Sequence, residues 1–136
     1  MEEITSVSVK ALVEAFDFEQ ITGDEESLNR QIVMADTNRP GLELAGFFEN
    51  SQVKRLVVLG DKEIAYISTM SVQKQRRAFD FITNEITPAI IITKGHKCPD
   101  VLKRCAKRKN FPVLSSESAT TRLIVDLVAF LDEKLA

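Results

Sequence analysis

Two hydrophobic patterns alternate along this chain and predict two kinds of element. Short continuous apolar runs, such as the Leu-Val-Val-Leu within residues 55–60, are typical of strands that are buried on both faces. Apolar residues at helical spacing, such as Leu123, Leu127 and Leu131, indicate a helix with one buried face. The runs predict strands at residues 32–34, 55–60, 89–93 and 112–115, and the spacing predicts helices at 7–21, 100–110 and 118–135, with two more between 61 and 82 that separate near 68–71.

Turn and capping residues set the boundaries between these elements. Residues 38–41 (Asn-Arg-Pro-Gly) predict a turn in which Gly41 is free to take a positive φ after Pro40. The stretch at 42–48 that follows is either a strand or a short helix, because alternation and length do not separate the two. Asp61 is expected to cap the next helix. The last helix is expected to bury Leu123, Ile124, Leu127, Val128 and Leu131.

Apolar strands that alternate with amphipathic helices predict an α/β fold. We expect a three-layer-like arrangement, in which a mostly parallel sheet is flanked by helices. A length of 136 residues predicts one domain, residues 1–136. The last helix runs to Ala136 without a glycine cap or a proline stop, which suggests a chain that is cut at a domain boundary.

The composition is that of a folded protein outside the membrane. Hydrophobic residues make up 44% of the chain and charged residues 28%, which excludes a disordered tail. No stretch approaches the ~20 apolar residues that a membrane span requires. The acidic start at residues 1–3 lacks the features of a signal peptide, and only two cysteines are present. These features favour a cytoplasmic location.

Charge is distributed unevenly along the chain. Residues 1–68 contain 13 acidic and 6 basic residues, whereas residues 69–136 contain 7 acidic and 12 basic residues. The basic excess concentrates at 94–109, which raises the hypothesis of a nucleic-acid-binding protein. No aromatic residues interleave with these charges and no known binding motif is present. We therefore favour a solvated helix face over nucleic-acid binding.

The sequence lacks the motifs of a self-contained hydrolase or nucleotide enzyme. None of its five glycines belongs to a phosphate loop or to a dinucleotide-binding turn. The single histidine, His96, has no partner arrangement typical of a catalytic triad. His96, Cys98 and Cys105 form the only metal-like constellation, but their spacing is not that of a zinc site even with Asp100 as a further ligand. We predict no catalytic, cofactor-binding or metal-binding residue.

A candidate anion site lies between the 112–115 strand and the last helix. Ser116, Ser118, Thr120 and Thr121 place hydroxyls where the helix start also offers free backbone N–H groups. The carboxyl end of a strand is also where open α/β sheets bind ligands. The simpler interpretation is that Ser118 or Thr120 only caps the helix.

A candidate interface follows the 38–41 turn. Phe47 and Phe48 are adjacent aromatics that extend an apolar patch if they lie at the surface, and aromatics favour protein contacts. Arg39, within the turn, is included in this candidate interface.

Residues 36–48 (Asp-Thr-Asn-Arg-Pro-Gly-Leu-Glu-Leu-Ala-Gly-Phe-Phe) are the most distinctive segment, and they resemble a signature of the N-terminal domain of the HPr kinase/phosphorylase family. Further similarities occur in the same order along essentially the whole chain, from about Val9 to Ala136. They comprise Gly23-Asp24-Glu25 with Leu28 and Arg30, Leu59-Gly60 with Glu63, residues 88–92, and Ser116 with Thr120-Thr121.

The resemblance implies a bifunctional enzyme in carbon catabolite regulation. Such an enzyme phosphorylates a serine of the phosphocarrier HPr with ATP or pyrophosphate and removes that phosphate with inorganic phosphate as acceptor. The phosphate loop, the magnesium ligands and the HPr contacts belong to a C-terminal domain that these residues do not include. The resemblance also implies a hexamer and a fold similar to the N-terminal, uridine-nucleotide-binding domain of the Mur ligases.

We therefore interpret the chain as the regulatory or assembly domain of such an enzyme, without a catalytic site of its own. The alternative is a free-standing module that binds a phosphorylated metabolite through residues 116–121. The length of the open reading frame separates the two, because a following phosphate loop would identify the enzyme.

Overall fold

The structure is a computed structural model that describes residues 5–136. The acidic start at residues 1–3, on which the signal-peptide prediction rests, lies outside the described residues. The strands are β1 (Val7–Ser8), β2 (Glu19–Gln20), β3 (Gln31–Ile32), β4 (Thr37–Asn38), β5 (Leu56–Leu59), β6 (Ile90–Ile92) and β7 (Val113–Ser115). The helices are α1 (Val9–Phe16), α2 (Gly41–Leu44), α3 (Asp61–Ile67), α4 (Val72–Ile82), α5 (Asp100–Lys109) and α6 (Thr120–Leu135), and a 3₁₀ helix covers Glu26–Asn29.

The main sheet has five strands in the order β2-β7-β6-β5-β4. Its β4, β5, β6 and β7 strands are parallel and follow one another in chain order, whereas β2 pairs antiparallel to β7 at one edge. A separate two-stranded sheet pairs β1 with β3. The predicted α/β fold with a mostly parallel sheet is therefore confirmed.

Helices cover both faces of the main sheet. Successive strand residues point to opposite faces, so that Val57 and Leu59 enter one core while Leu56 and Val58 enter the other. The first core is completed by apolar residues of α2, α3, α4 and α5, and the second by residues of α1 and α6. The result is the predicted three-layer arrangement, with the connections between parallel strands all packed on one side.

The predicted helix at 7–21 is wrong in its extent. The Ser8 hydroxyl accepts a hydrogen bond from the Ala11 amide at 3.1 Å, so the helix starts at Val9. Asp17 takes a left-handed conformation, with φ of 55°, and ends the helix. The residues before and after this helix form strands β1 and β2. These flanking residues pair with the distant strands β3 and β7, which local periodicity does not reveal.

The region at 31–48 also departs from the prediction. Of the apolar run predicted as a strand at 32–34, only Ile32 lies in β3. This strand pairs with β1 outside the main sheet. The predicted turn at 38–41 contains the end of β4, and the open choice for 42–48 resolves as the short helix α2. The positive φ belongs to Gly46, at 94°, and not to Gly41, because Gly41 is the first residue of α2.

The second half of the chain matches the prediction closely. The predicted strands at 55–60, 89–93 and 112–115 correspond to β5, β6 and β7, and the two predicted helices separate at 68–71. In α6, Ile124 and Val128 are half-buried, whereas the other three residues of the predicted stripe are buried. Two capping predictions are wrong: Gly60 precedes α3 in place of Asp61, and Ala119 precedes α6 without a side-chain cap. Within residues 5–136, no helix is long and apolar enough to cross a membrane.

Candidate functional site

The carboxyl edge of the parallel sheet is the candidate functional site. Because β4 to β7 run in the same direction, the residues that follow each of them meet at this edge. The side chains and backbone gathered here come from Arg39 after β4, Gly60 after β5, Thr93 after β6 and Ser116 after β7.

A hydrogen-bonded network joins β4, β5 and α3 at this edge. One carboxylate oxygen of Glu63, Oε1, accepts the Gly60 amide at 2.7 Å. The same oxygen accepts Arg39 Nε at 3.1 Å and Arg39 Nη2 at 2.9 Å. The Glu63 side chain is 9% exposed and that of Arg39 36% exposed. Glu63 therefore accepts the amide of the residue that precedes α3 and at the same time binds Arg39, in the segment that precedes α2.

Gly60 is also the point where α6 approaches the edge. A Cβ atom at Gly60 would lie 2.6 Å from Thr120 Oγ1 and 3.0 Å from Arg39 Nη2, so only glycine fits without movement of its neighbours. The Thr120 hydroxyl lies 2.6 Å from the Thr93 hydroxyl, and both residues are buried. Thr93 Oγ1 in turn donates to the Leu59 carbonyl at 3.3 Å. The start of α6 is thus held by side-chain contacts to β5 and β6.

A more exposed ion cluster lies beside this network. Asp61 Oδ2 is 2.7 Å from Lys94 Nζ, and Asp61 Oδ1 is 2.6 Å from His96 Nε2. The hydrogen bond with Lys94 and, to a smaller extent, the one with His96 hold the pKa of Asp61 below its usual value. Lys94 and Gly95 both take positive φ, of 54° and 64°, in the tight turn that brings the cluster together. The arrangement is a solvent-exposed cluster in which Asp61 contacts both Lys94 and His96.

The four candidate anion-site residues have different surroundings. Ser116 Oγ accepts the Ser118 amide at 3.1 Å, and the Ser116 and Ser118 carbonyls accept amides from the 94–95 turn. Thr120 is buried against Thr93, whereas Thr121 is exposed. The carboxylate of the intervening Glu117 lies close to Gly95 and adds a negative charge to the same turn. Anion binding here stays a prediction.

The candidate interface residues also have separate environments. Arg39 pairs with Glu63, and Phe47 is 49% exposed. Phe48 is half-buried and stacks on Phe81 of α4, with ring centroids 4.4 Å apart and planes 10° apart. Phe47 is therefore the residue of the three that is most available to a partner.

The three residues of the metal-like constellation point to different places. His96 contacts Asp61, whereas Cys98 and Cys105 are buried in the core between the sheet and α5. Burial raises the pKa of the Cys98 thiol to about 11; the charge of Asp100 adds to this rise, and that of Lys103 opposes it. Among residues 5–136, no group of three or more His, Cys, Asp or Glu side chains could hold a metal ion.

Sequence reasoning missed Glu63 and Thr93 as residues of the site. Glu63 stands three positions after Gly60, at the spacing from which a glutamate in the first turn of a helix reaches back to the amide before it, and that spacing could have identified the contact. Nothing comparable marks Thr93, because its contact with Thr120 depends on which helix crosses the end of β6.

The family model described as "HPr Serine kinase N terminus" matches residues 7–131. Curated proteins named HPr kinase/phosphorylase are similar to this chain over nearly all of its length. One from Geobacillus sp. (strain WCH70) is 35% identical over 130 residues, which is 96% of this chain and 42% of that protein.

Two further relatives carry the same name. The protein of Streptococcus thermophilus (strain CNRZ 1066) is 36% identical over 131 residues, covering 96% of this chain and 42% of that protein. The protein of Bacillus subtilis (strain 168) is 35% identical over 133 residues, covering 98% of this chain and 43% of that protein. The chain therefore spans less than half the length of these relatives.

Proposed function

The chain belongs to the family of HPr serine kinase N-terminal domains, and from this membership we propose that it is a regulatory or assembly domain without a catalytic site. The observation that carries the proposal is the match of 96% of this chain to proteins named HPr kinase/phosphorylase. Arg39, Gly60, Glu63 and Thr120, which all lie in the segments that resemble the family, also meet at one edge of the sheet.

The proposed reaction belongs to the whole protein. It transfers phosphate from ATP or pyrophosphate to a serine of HPr, with magnesium, and it removes that phosphate with inorganic phosphate as acceptor. We place this reaction in the cytoplasm, in the regulation of carbon metabolism, and assign its phosphate loop and magnesium ligands to a second, C-terminal domain. HPr is accordingly a partner of that domain rather than of these residues.

The geometry of the carboxyl edge supports a non-catalytic role. Phosphoryl transfer requires backbone amides around the phosphates, a lysine and carboxylates that hold magnesium. Here Lys94 pairs with Asp61, and Glu63 is occupied by Arg39 and the Gly60 amide. Ligands of α/β sheets bind in the crevice where the strand order reverses, and β4 to β7 follow in chain order without a reversal.

Assembly is the role that the exposed aromatic at Phe47 supports. The resemblance implies a hexamer, and a half-exposed phenylalanine beside the family's distinctive segment suits a contact between subunits or with the C-terminal domain. The rival proposal, a free-standing module for a phosphorylated metabolite, has less support. The hydroxyl of Thr120 is engaged by Thr93, and Glu117 would repel an anion at that turn.

The proposed reaction is tested with the product of the whole open reading frame that contains this chain. Purified HPr, ATP and magnesium should give a phosphoserine that mass spectrometry locates, and inorganic phosphate should then remove it. Pyrophosphate should replace ATP as donor. An unmodified HPr after incubation with active, folded protein would contradict the family-based proposal.

A further inference from the structure

A groove between α4 and α5 is lined by arginines. Its basic section has a volume of about 610 Å³ and contains Arg76 and Arg77 of α4 together with Arg104 and Arg108 of α5. Asp80 is the single acidic residue of the lining, and Lys109 already pairs with it at 2.9 Å. Among residues 5–136, Arg76, Arg77 and Arg104 make no ion pair. The groove therefore presents an excess of uncompensated positive charge to solvent.

The basic residues that line this section of the groove are all arginines. Four of the eight arginines of the chain line it, whereas Lys103 and Lys107, exposed on the same helix, do not. A solvated helix face has no need of arginine in place of lysine, since either gives the same charge. A planar guanidinium donates two parallel hydrogen bonds to a carboxylate or phosphate, which an ammonium group cannot do. The lining thus suits a ligand with several anionic groups.

The groove continues into an apolar section. A second cavity of about 450 Å³ shares Val101 and Arg104 with the first, and Ile64, Ile67 and Val72 form its walls. Val72 is 47% exposed, so its side chain is accessible to an apolar group in this section. The α4 helix that forms one wall has 11 residues and is about 16 Å long. The combined groove is long enough for about three turns of another helix.

We propose that this groove binds an acidic amphipathic segment of a partner protein, with apolar side chains on Val72 and Val101 and carboxylates on the four arginines. The observed charge and the apolar continuation together favour this occupant, because helices bind in grooves by apolar anchors with charged flanks. Single-stranded nucleic acid stacks on aromatic side chains, and neither section of the groove is lined by one. A small polyphosphate would leave the apolar section unused. The inference does not depend on the proposed kinase function.

The test measures fluorescence anisotropy of a labelled helical peptide on the 136-residue chain. The peptide has about 12 residues, which gives three helical turns, with leucine on one face and glutamate on the other. Binding should saturate with a dissociation constant on the order of 10–100 µM. The double variant Arg76→Gln/Arg104→Gln should weaken binding roughly tenfold, because two charged contacts are lost. The matched control Lys103→Gln/Lys107→Gln removes the same charge from outside the groove and should change binding by less than about twofold.

A third variant separates groove binding from charge attraction alone. Val72→Ser removes an apolar contact without changing charge, and it should weaken the peptide roughly fivefold. All substituted positions are exposed, and circular dichroism establishes that each variant is folded. Equal losses in the arginine and lysine variants would overturn the proposal, as would an unchanged affinity of Val72→Ser. Tighter binding of tripolyphosphate or of a single-stranded RNA than of the peptide would also overturn it.

Discussion

Replacing Glu63 by alanine should destabilise the domain more than any other single change at an acidic residue of the carboxyl edge. The substitution removes the acceptor for the Gly60 amide and for two N–H groups of Arg39. The Gly60 amide is buried, so it loses its partner without gaining water. An unsatisfied buried donor costs about 1–3 kcal/mol, and loss of a cap costs about 1 kcal/mol.

The ion pair adds little to this estimate. Arg39 is 36% exposed, and exposed pairs contribute about 0.2–1 kcal/mol. Because the cap and the buried amide describe the same contact, their costs overlap, and we expect a total loss of about 1–4 kcal/mol. Glu63→Gln keeps an oxygen that accepts the Gly60 amide, so it should cost about 1 kcal/mol.

Urea denaturation measures these differences directly. The midpoint should fall for Glu63→Ala with an unchanged slope, since the surface exposed on unfolding stays the same. Glu14→Ala is the matched control, because Glu14 is exposed on α1 and its loss should change stability by less than about 0.5 kcal/mol. An equal, small effect of the two alanine variants would refute the role assigned to the network. An equal, large effect of Glu63→Ala and Glu63→Gln would show that charge, rather than the acceptor for the amide, is what matters.

Three further predictions follow from particular contacts. Gly60→Ala places a methyl group 2.6 Å from Thr120 Oγ1 and should lower stability by about 1–3 kcal/mol, with partial recovery in the Thr120→Ser background if the threonine methyl contributes to the clash. Because the pKa of Cys98 rises from 9.0 to about 11 on folding, the unfolded chain loses this proton first. Stability should therefore fall between about pH 9 and pH 11, by a smaller amount in Cys98→Ser, when denaturation is repeated across that range. Phe48→Ser should destabilise the fold by about 1–3 kcal/mol through the lost stacking, whereas Phe47→Ser should leave the melting curve unchanged and reduce self-association of the whole protein in sedimentation velocity. Unchanged sedimentation of the Phe47 variant would count against the proposed interface.

The sequence predicts most of the second half of the fold because its signals there are local. The runs that become β5, β6 and β7 are apolar on both faces, and such strands occur in parallel sheets covered by helices. The first half depends on pairing between distant residues. Both β1 and β3 have two residues, and β2 is identified only by its register with β7, as Glu19 opposite Ser115. Strands so short carry no periodicity of their own.

The candidate site could be predicted in part. The sequence places Ser116 and Thr120 after a predicted strand, where open α/β sheets bind ligands, and it places Gly60 at the end of another. It predicts no strand before Arg39, which it assigns to a turn. The contact of Arg39 and Gly60 through Glu63 cannot be predicted without the fold, because 24 residues separate Arg39 from Glu63 along the chain. The sequence also does not reveal that Phe48 is half-buried. Its stacking on Phe81 depends on how α2 and α4 pack, which adjacent phenylalanines in a sequence do not reveal.

We propose above all that this chain is a non-catalytic domain of a kinase whose active site lies in a second, C-terminal domain. The most direct measurement is phosphate transfer to HPr by the 136-residue chain alone, freed of contaminating kinase, with ATP and magnesium. The product of the whole open reading frame is assayed in parallel. We expect the whole protein to form phosphoserine on HPr and the isolated chain to form none, because its sequence contains no glycine-rich phosphate loop. Stoichiometric phosphorylation of HPr by the isolated chain would contradict the account.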